Sequence, residues 1–283
     1  MKLISWNIQW GRGVDGRVDL DRIVDRAHRL ADFDVLCLQE VADGYPELPG
    51  HDGSDQFAAL AQRLERFTAI AGVATDTSGG PRERRRFGNM LFSRLPVGTV
   101  MRHLLPWPND PAVLSMQRVA IEATIDTDIG PLRVVTTHLE YYSATQRAAQ
   151  VERLRELHRE AVAQARHPRP GNASDGPFDH QPRAAATVWT GDFNFGPEAP
   201  EYARIQEPFD DSTPPLRDAW RQAHPNAPHV PTVGVFDKQQ WPGPPSTFDF
   251  MFVSAGLESR VRALEVDMNT DASDHQPVML ELF

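Results

Sequence analysis

The chain has 283 residues, 40% hydrophobic and 24% charged, an ordinary globular composition with length enough for a sizeable core. Lys and Arg number 29 against 39 Asp and Glu, for a formal net charge of −10. That acidity argues against a broad, sequence-independent nucleic-acid footprint, which needs many phosphate-neutralising cations. It leaves open a small phosphate substrate, and carboxylates that ligate a divalent metal.

Strand-like sequence begins at Lys2-Leu3-Ile4-Ser5-Trp6, so no basic-then-apolar leader is expected, and no run nears the ~20 apolar residues of a membrane span. Short apolar runs recur at 3–8, 35–38, 89–92, 119–125, 132–136, 186–189, 248–253, 261–266 and 277–282. Several alternate with polar residues, as half-buried strands do. Helical spacing puts Leu20, Ile23, Val24, Ala27 and Leu30 on one face of 20–30, and Phe57, Leu60, Ala61, Leu64 and Phe67 on one face of 56–67. The longest predicted helix, 143–165, has Ser143 as its cap. Proline-rich stretches at 168–182 and 226–245 read as loops, the second carrying Trp241.

Neither a repeat nor a composition break interrupts the chain. A single domain over 1–283 is expected, a layered α/β protein with mixed sheets. The sole cysteine, Cys37, lies in Val35-Leu36-Cys37-Leu38 and excludes an intramolecular disulfide. It reads as a small buried apolar residue, and a soluble, cytoplasmic monomer is expected.

Polar residues stand repeatedly at the ends of the apolar runs. Asn7 lies in the first run, and Glu40 follows 35–38. Asn89 opens 89–92, and His138 follows 132–136. Asp192 and Asn194 follow 186–189, with Gly191 read as permitting a tight turn. Asp249 lies in Phe248-Asp249-Phe250-Met251-Phe252, and Asp274-His275 precede the last run. Rigid strands aim such side chains at one point. Glu40 and the aspartates are hard oxygen ligands that suit Mg²⁺ or Mn²⁺, whereas histidines handle protons or donate to phosphoryl oxygens. Each residue alone has a plainer reading as a turn former, an ion-pair partner or a core histidine. No P-loop or Gly-x-Gly-x-x-Gly supports a nucleotide cofactor.

Taken in order, Ser-Trp-Asn at 5–7, Gln-Glu at 39–40, Gly-Asn at 88–89, Thr-His at 137–138, Gly-Asp-Phe-Asn at 191–194, Phe-Asp-Phe-Met-Phe at 248–252 and Ser-Asp-His at 273–275 resemble the endonuclease/exonuclease/phosphatase (DNase I-like) superfamily. The resemblance spans nearly the whole chain. It implies a four-layer α/β/β/α sandwich of two packed mixed sheets and a Mg²⁺- or Mn²⁺-dependent phosphoesterase. It also implies roles. Glu40 is the principal metal ligand, with Asn7 adjacent and Asp274 near the metal. Asp192 orients or deprotonates the attacking water, helped by Asn194. His275 contacts the phosphate with Asp249 fixing its ring, His138 gathers charge, and Asn89 supports the site.

Two departures bear on substrate. Abasic-site endonucleases carry an acidic residue where this chain has Gln9, and a tyrosine where it has Phe250. With the acidity, these favour a small or lipid-like phosphoester over DNA. The dense basic run 82–86 keeps a nuclease as the alternative, against its plainer reading as a solvated loop. Arg118, Glu140, Tyr141 and Tyr142 are ambiguous between a surface or helix-start role and a place at the site. A non-catalytic binding module on the same fold is the remaining alternative.

Overall fold

Each of two sheets is organised around one parallel strand pair, and those pairs set the position of everything functional. The computed structural model describes residues 1–81, 83–167, 176 and 182–283. In chain order the strands are β1 (Lys2–Asn7), β2 (Val35–Asp43), β3 (Thr68–Gly80), β4 (Glu83–Ser93), β5 (Val97–Leu104), β6 (Val119–Thr127), β7 (Gly130–His138), β8 (Thr187–Asp192), β9 (Leu216–Asp218), β10 (Asp249–Ser254), β11 (Val261–Val266) and β12 (Val278–Leu282). The helices are α1 (Leu20–Leu30), α2 (Gln56–Arg63), α3 (Ala144–Arg166), α4 (Pro200–Gln206) and α5 (Ala219–Ala223). One sheet runs β11-β12-β1-β2-β4-β3 and the other β5-β6-β7-β8-β10-β9. Among the described residues only β1 with β2, and β7 with β8, pair in parallel.

Parallel neighbours need a crossover, and α1 and α3 supply it. Side chains alternate across each strand, so each sheet presents two apolar faces. Leu3, Cys37 and Leu91 of the first sheet meet Ile121, Val134, Val188 and Met251 of the second in a shared core. On the first sheet's outer face Ile4, Trp6, Leu36 and Leu38 pack on Ile23 and Ala27 of α1 and Phe57 and Leu60 of α2. On the second sheet's outer face Val135, Trp189, Phe250 and Phe252 pack on Val151, Leu154 and Leu157 of α3 and Ile205 of α4. The result is a four-layer α/β/β/α sandwich.

Helix α3 is capped as its sequence predicts, Ser143 Oγ accepting the Gln146 amide at 3.1 Å. Helix α2 stops at Arg63, four residues short of the apolar pattern. Leu64 leaves helical geometry, and Phe67 turns instead to pack its ring 5.2 Å from that of Phe33. The basic run is not a loop. Residues from Glu83 form β4, the hairpin partner of β3, and Arg82 lies outside the described residues. The stretch 168–182 also lies outside them, apart from 176 and 182. Cys37 is fully buried, and burial pushes its thiol up. Among the described residues no helix is long and apolar enough to cross a membrane.

Candidate active site

Parallel strands finish at the same edge, so β1 with β2 and β7 with β8 each deliver two side chains to one place. Asn7 ends β1 opposite Gln39, the residue before Glu40. His138 ends β7 opposite Asp192, which ends β8. Antiparallel β10 starts at that edge and sets Asp249 opposite Asp192. Antiparallel β12 starts there too, just after Asp274 and His275. The C-terminal ends of parallel strands are the usual seat of a site in an open α/β sheet.

Two backbone devices refine the aim. The register of β2 against β4 shifts between Leu38 and Val41, and within that bulge Glu40 adopts φ 62°. A bulge re-aims its side chain, here toward the cavity. Gly191 is within β8 and does not form the tight turn its motif suggests. A Cβ there would lie 1.9 Å from the Thr137 carbonyl oxygen, so glycine permits the close approach of β7 and β8.

Asp192 is the focus. Its Oδ2 accepts from Asn7 Nδ2 at 3.0 Å and lies 3.5 Å from His138 Nε2 and 3.7 Å from His275 Nε2. Its Oδ1 accepts the Asn194 amide at 2.9 Å. Asn7 Nδ2 also donates to Glu40 Oε1 at 3.0 Å, while Asn7 Oδ1 accepts the Gln9 amide. Behind His275, Asp249 Oδ2 meets its Nδ1 at 2.8 Å and accepts the Thr232 hydroxyl at 2.6 Å. Asp274 Oδ2 accepts from Trp241 Nε1 at 2.9 Å and Gln240 Nε2 at 3.0 Å.

Glu40, His138, Asp192, Asn194, Asp274 and His275 line a cavity of about 550 Å³. Asn7 and Asp249 stand behind that lining. Asn89 is further back: its side chain donates to the Val119 carbonyl at 3.1 Å, tying β4 to β6 across the two sheets. The Asn194 side-chain Nδ2 is spent on the Leu139 carbonyl at 2.8 Å, so this residue reaches Asp192 through its backbone N–H. The apolar walls are Trp10, Phe87, Met116, Tyr141, Tyr142 and Trp241. Trp241 sits edge-on to the His275 ring.

Sequence reasoning had no strong signal for Gln240, Thr232 or Met116. Gln240 and Thr232 join the site through bonds to Asp274 and Asp249, distant in the chain, and Met116 by lining the cavity. Arg118 is resolved in favour of the site: it is buried, lines the cavity, and donates Nε to Glu140 Oε2 at 3.1 Å. One of its terminal nitrogens is buried without a partner among the described residues.

The charges are mutually strained. Burial and then the Asp274 charge push Glu40 up to about 7. Burial, with Asp249 adding, pushes Asp192 up to about 6 despite His275 nearby. Burial, Arg118 and His275 hold His138 well below the usual imidazole range. Burial also opposes charge on His275, but Asp249, Asp192 and Asp274 outweigh it and raise that ring well above its ordinary value. Carboxylates crowded at one edge make a donor set that fits a divalent cation, whose charge relieves the repulsion. The tightest group of potential ligand atoms among the described residues is Asp192, Asp249 and His275, within 4.8 Å of one another. The Asp249–His275 contact is a hydrogen bond with no room for an ion, so the hard oxygens of Glu40, Asp274 and Asp192 fit a cation better.

Fold and converging edge together define a DNase I-like protein. The chain belongs to the Endonuclease/Exonuclease/phosphatase family, whose model matches residues 4–275. That family is made of hydrolases acting on phosphoesters. An endonuclease/exonuclease/phosphatase from Beutenbergia cavernae is similar at 26% identity and TM-score 0.68, over 100% of this chain and 71% of that one. A mannosyl-6-phosphatase from Bacteroides thetaiotaomicron shares the fold at 18% identity and TM-score 0.66, over 100% and 99%. So does a 3' phosphatase from Neisseria bound to a product DNA hairpin, at 20% identity and TM-score 0.61, over 100% and 99%. Comparison with curated proteins gives no match.

Proposed function

We propose that the chain, acting as one catalytic domain over 1–283, is a divalent-metal-dependent phosphoesterase that cleaves its substrate by direct attack of water. The observation that carries this reading is Asp192 Oδ2, reached by Asn7, His138 and His275 beside Glu40. Mg²⁺ or Mn²⁺ held by Glu40 and Asp274, with Asn7 adjacent, would offset phosphoryl charge and lower the pKa of water. Asn7 presents its NH₂ to the carboxylates, so direct ligation requires its amide to turn.

Asp192, raised to about 6, accepts the proton of the attacking water, and the Asn194 backbone fixes its carboxyl plane. His275, kept charged and oriented by Asp249, donates from Nε2 to a phosphoryl oxygen. His138 and the free terminal nitrogen of Arg118 gather charge on the remaining oxygens. Positioning and charge stabilisation are what phosphoryl transfer chiefly needs. Asn89 supports the site by joining the two sheets behind it.

A small or lipid-like phosphoester is the preferred substrate, because the walls are aromatic and Arg118 is the only Arg or Lys among the described residues that line the cavity. The nuclease alternative rested on the basic run. Among its described residues Arg84 pairs with Asp76, Arg85 with Glu47, and Arg86 with Asp43 and Asp55, so these three arginines are already matched by carboxylates. The DNA bound by the Neisseria relative keeps that alternative in the experiment. The test is a panel of sphingomyelin, sugar and inositol phosphates, cyclic nucleotides, RNA, and single-stranded and abasic DNA, each with Mg²⁺ and Mn²⁺. Turnover of small phosphoesters above all nucleic acids is expected. No metal-dependent turnover of any member rejects the reading.

A further inference from the structure

Behind the Asp249–His275 pair lies a second buried cluster. Asp218, at the end of edge strand β9, is fully engaged. Its Oδ2 takes the Tyr202 hydroxyl at 2.8 Å and His229 Nε2 at 2.6 Å, and its Oδ1 takes the Trp220 amide at 2.9 Å. The His229 side chain is 5% exposed, stacked on Trp220 and edge-on to Phe250. With Nε2–H given to Asp218, the other ring nitrogen, Nδ1, is an acceptor in that tautomer. That atom is buried without a partner among the described residues.

Asp249 shows the complementary deficit. Its Oδ2 is satisfied twice, by Thr232 and His275, whereas its buried Oδ1 has no partner among the described residues. An unpaired buried carboxylate oxygen is costly. Both residues line one cavity of about 10 Å³, walled otherwise by Phe250, Met251, Leu264 and other apolar groups. That is about the space a single water occupies. The remaining polar groups there are already committed: Thr232 Oγ to Asp249 Oδ2 and Thr247 Oγ to the Val230 carbonyl. One water has two hydrogens, and two of the residues lining the cavity each hold a buried acceptor with no donor among the described residues.

We propose that a single buried water in this cavity joins His229 Nδ1 to Asp249 Oδ1, making Tyr202–Asp218–His229 a positioning arm for the Asp249–His275 pair. The water donates one hydrogen to each acceptor. It thereby fixes the rotation of the Asp249 carboxyl about its Cβ–Cγ bond, and through Oδ2 the plane of the His275 ring. His229 acts through Asp249 and touches no substrate, so it is a positioning residue. Outer partners of this kind typically matter by about 10-fold to 100-fold in activity.

The test has two arms, and only the kinetic one rests on the phosphoesterase reading. A high-resolution crystal structure of the unaltered chain is expected to show one ordered water about 2.8 Å from both atoms. A dry cavity, or a water touching only one of them, overturns the proposal. In the second arm, His229→Phe keeps an aromatic ring in the nest and is expected to lower kcat about 10-fold with KM within about twofold. His229→Gln, which retains polar atoms, is expected to recover part of that loss at equal thermal stability. Unchanged kcat in His229→Phe, or a loss that tracks thermal stability alone in both variants, overturns the positioning role. A chain that hydrolyses no phosphoester defeats the functional reading, and the crystallographic arm still decides the water.

Discussion

A buried glutamate and a half-buried one meet opposite fates. Glu122, on β6, is surrounded by His103, Arg133 and Arg183, and Arg183 grips its Oε1 with two nitrogens at 2.6 and 2.9 Å. Burial opposes its charge, but the His103 ring 3.4 Å away and then the two guanidiniums overcome that and hold it down at about 2. Glu40 has Asn7 for a neutral partner and Asp274 and Asp192 as like charges, and it rises to about 7. The same side chain is therefore a satisfied structural ion in one place and a strained one at the cavity. Structural charges are matched by their neighbours, whereas the charges at the cavity await something from outside the chain.

The comparison can be broken in several ways, the most severe at the cavity. Asp192→Asn removes the proposed proton acceptor and should lower kcat by roughly 10³-fold with the circular dichroism spectrum unchanged. Near-native turnover in steady-state assays would mean that the strain at this edge has no chemical role. Dialysis against EDTA should bring activity to background, and Mg²⁺ or Mn²⁺ should restore it together with a higher melting temperature. Calorimetry with and without metal measures that rise. Glu122→Gln leaves Arg133 and Arg183 without their charged partner. It should cost about 3 kcal/mol, with kcat per folded molecule preserved.

The pH dependence of metal-free stability separates the two glutamates by sign. Glu40 has a folded value of about 7 against an ordinary 4.5, so it destabilises the fold above pH 7. That penalty fades as pH falls from about 7 to 4.5. Glu122 has a folded value of about 2, so its contribution is full above 4.5 and is lost as pH falls toward 2. Glu40→Gln should therefore stabilise the metal-free chain at pH 8, by on the order of 1–3 kcal/mol, and change little at pH 4.5. Denaturant melts at the two pH values measure it. The smallest effect concerns substrate: with the arginines of β4 already paired, raising salt from 50 to 200 mM should change kcat/KM on a small phosphoester by less than about twofold. A steep salt slope would instead favour a polyanionic substrate.

Much of this was legible in the residues. The nine apolar runs all fall on strands, because a strand buried on both faces shows as a near-continuous apolar stretch. Strands β3, β5 and β9 were not legible. β3 and β5 lie at sheet edges with alternating exposure, β3 ends in Ser78-Gly79-Gly80, and β9 has only three residues. At the site, side chains at strand ends were readable because their place in the sheet follows from the strand itself. Gln240, Thr232 and His229 were not, since they belong to the irregular stretch 226–245. Only tertiary contacts with Asp274, Asp249 and Asp218 give them meaning. The pairing of Arg85 and Arg86 was not legible because their counter-charges at Asp43, Glu47 and Asp55 are distant in sequence.

The bulge at Glu40 carries a consequence for anyone engineering the chain. A non-glycine residue at φ 62° costs about 1 kcal/mol or more in backbone energy, and this one adds a strained charge. Glycine at that position would relax both in the metal-free chain, so a metal-free screen for heat tolerance alone should select it, at the expense of the proposed metal ligand. Stabilisation campaigns should therefore hold position 40 fixed, and a catalytically silent variant for trapping bound substrate can be sought there without loss of fold.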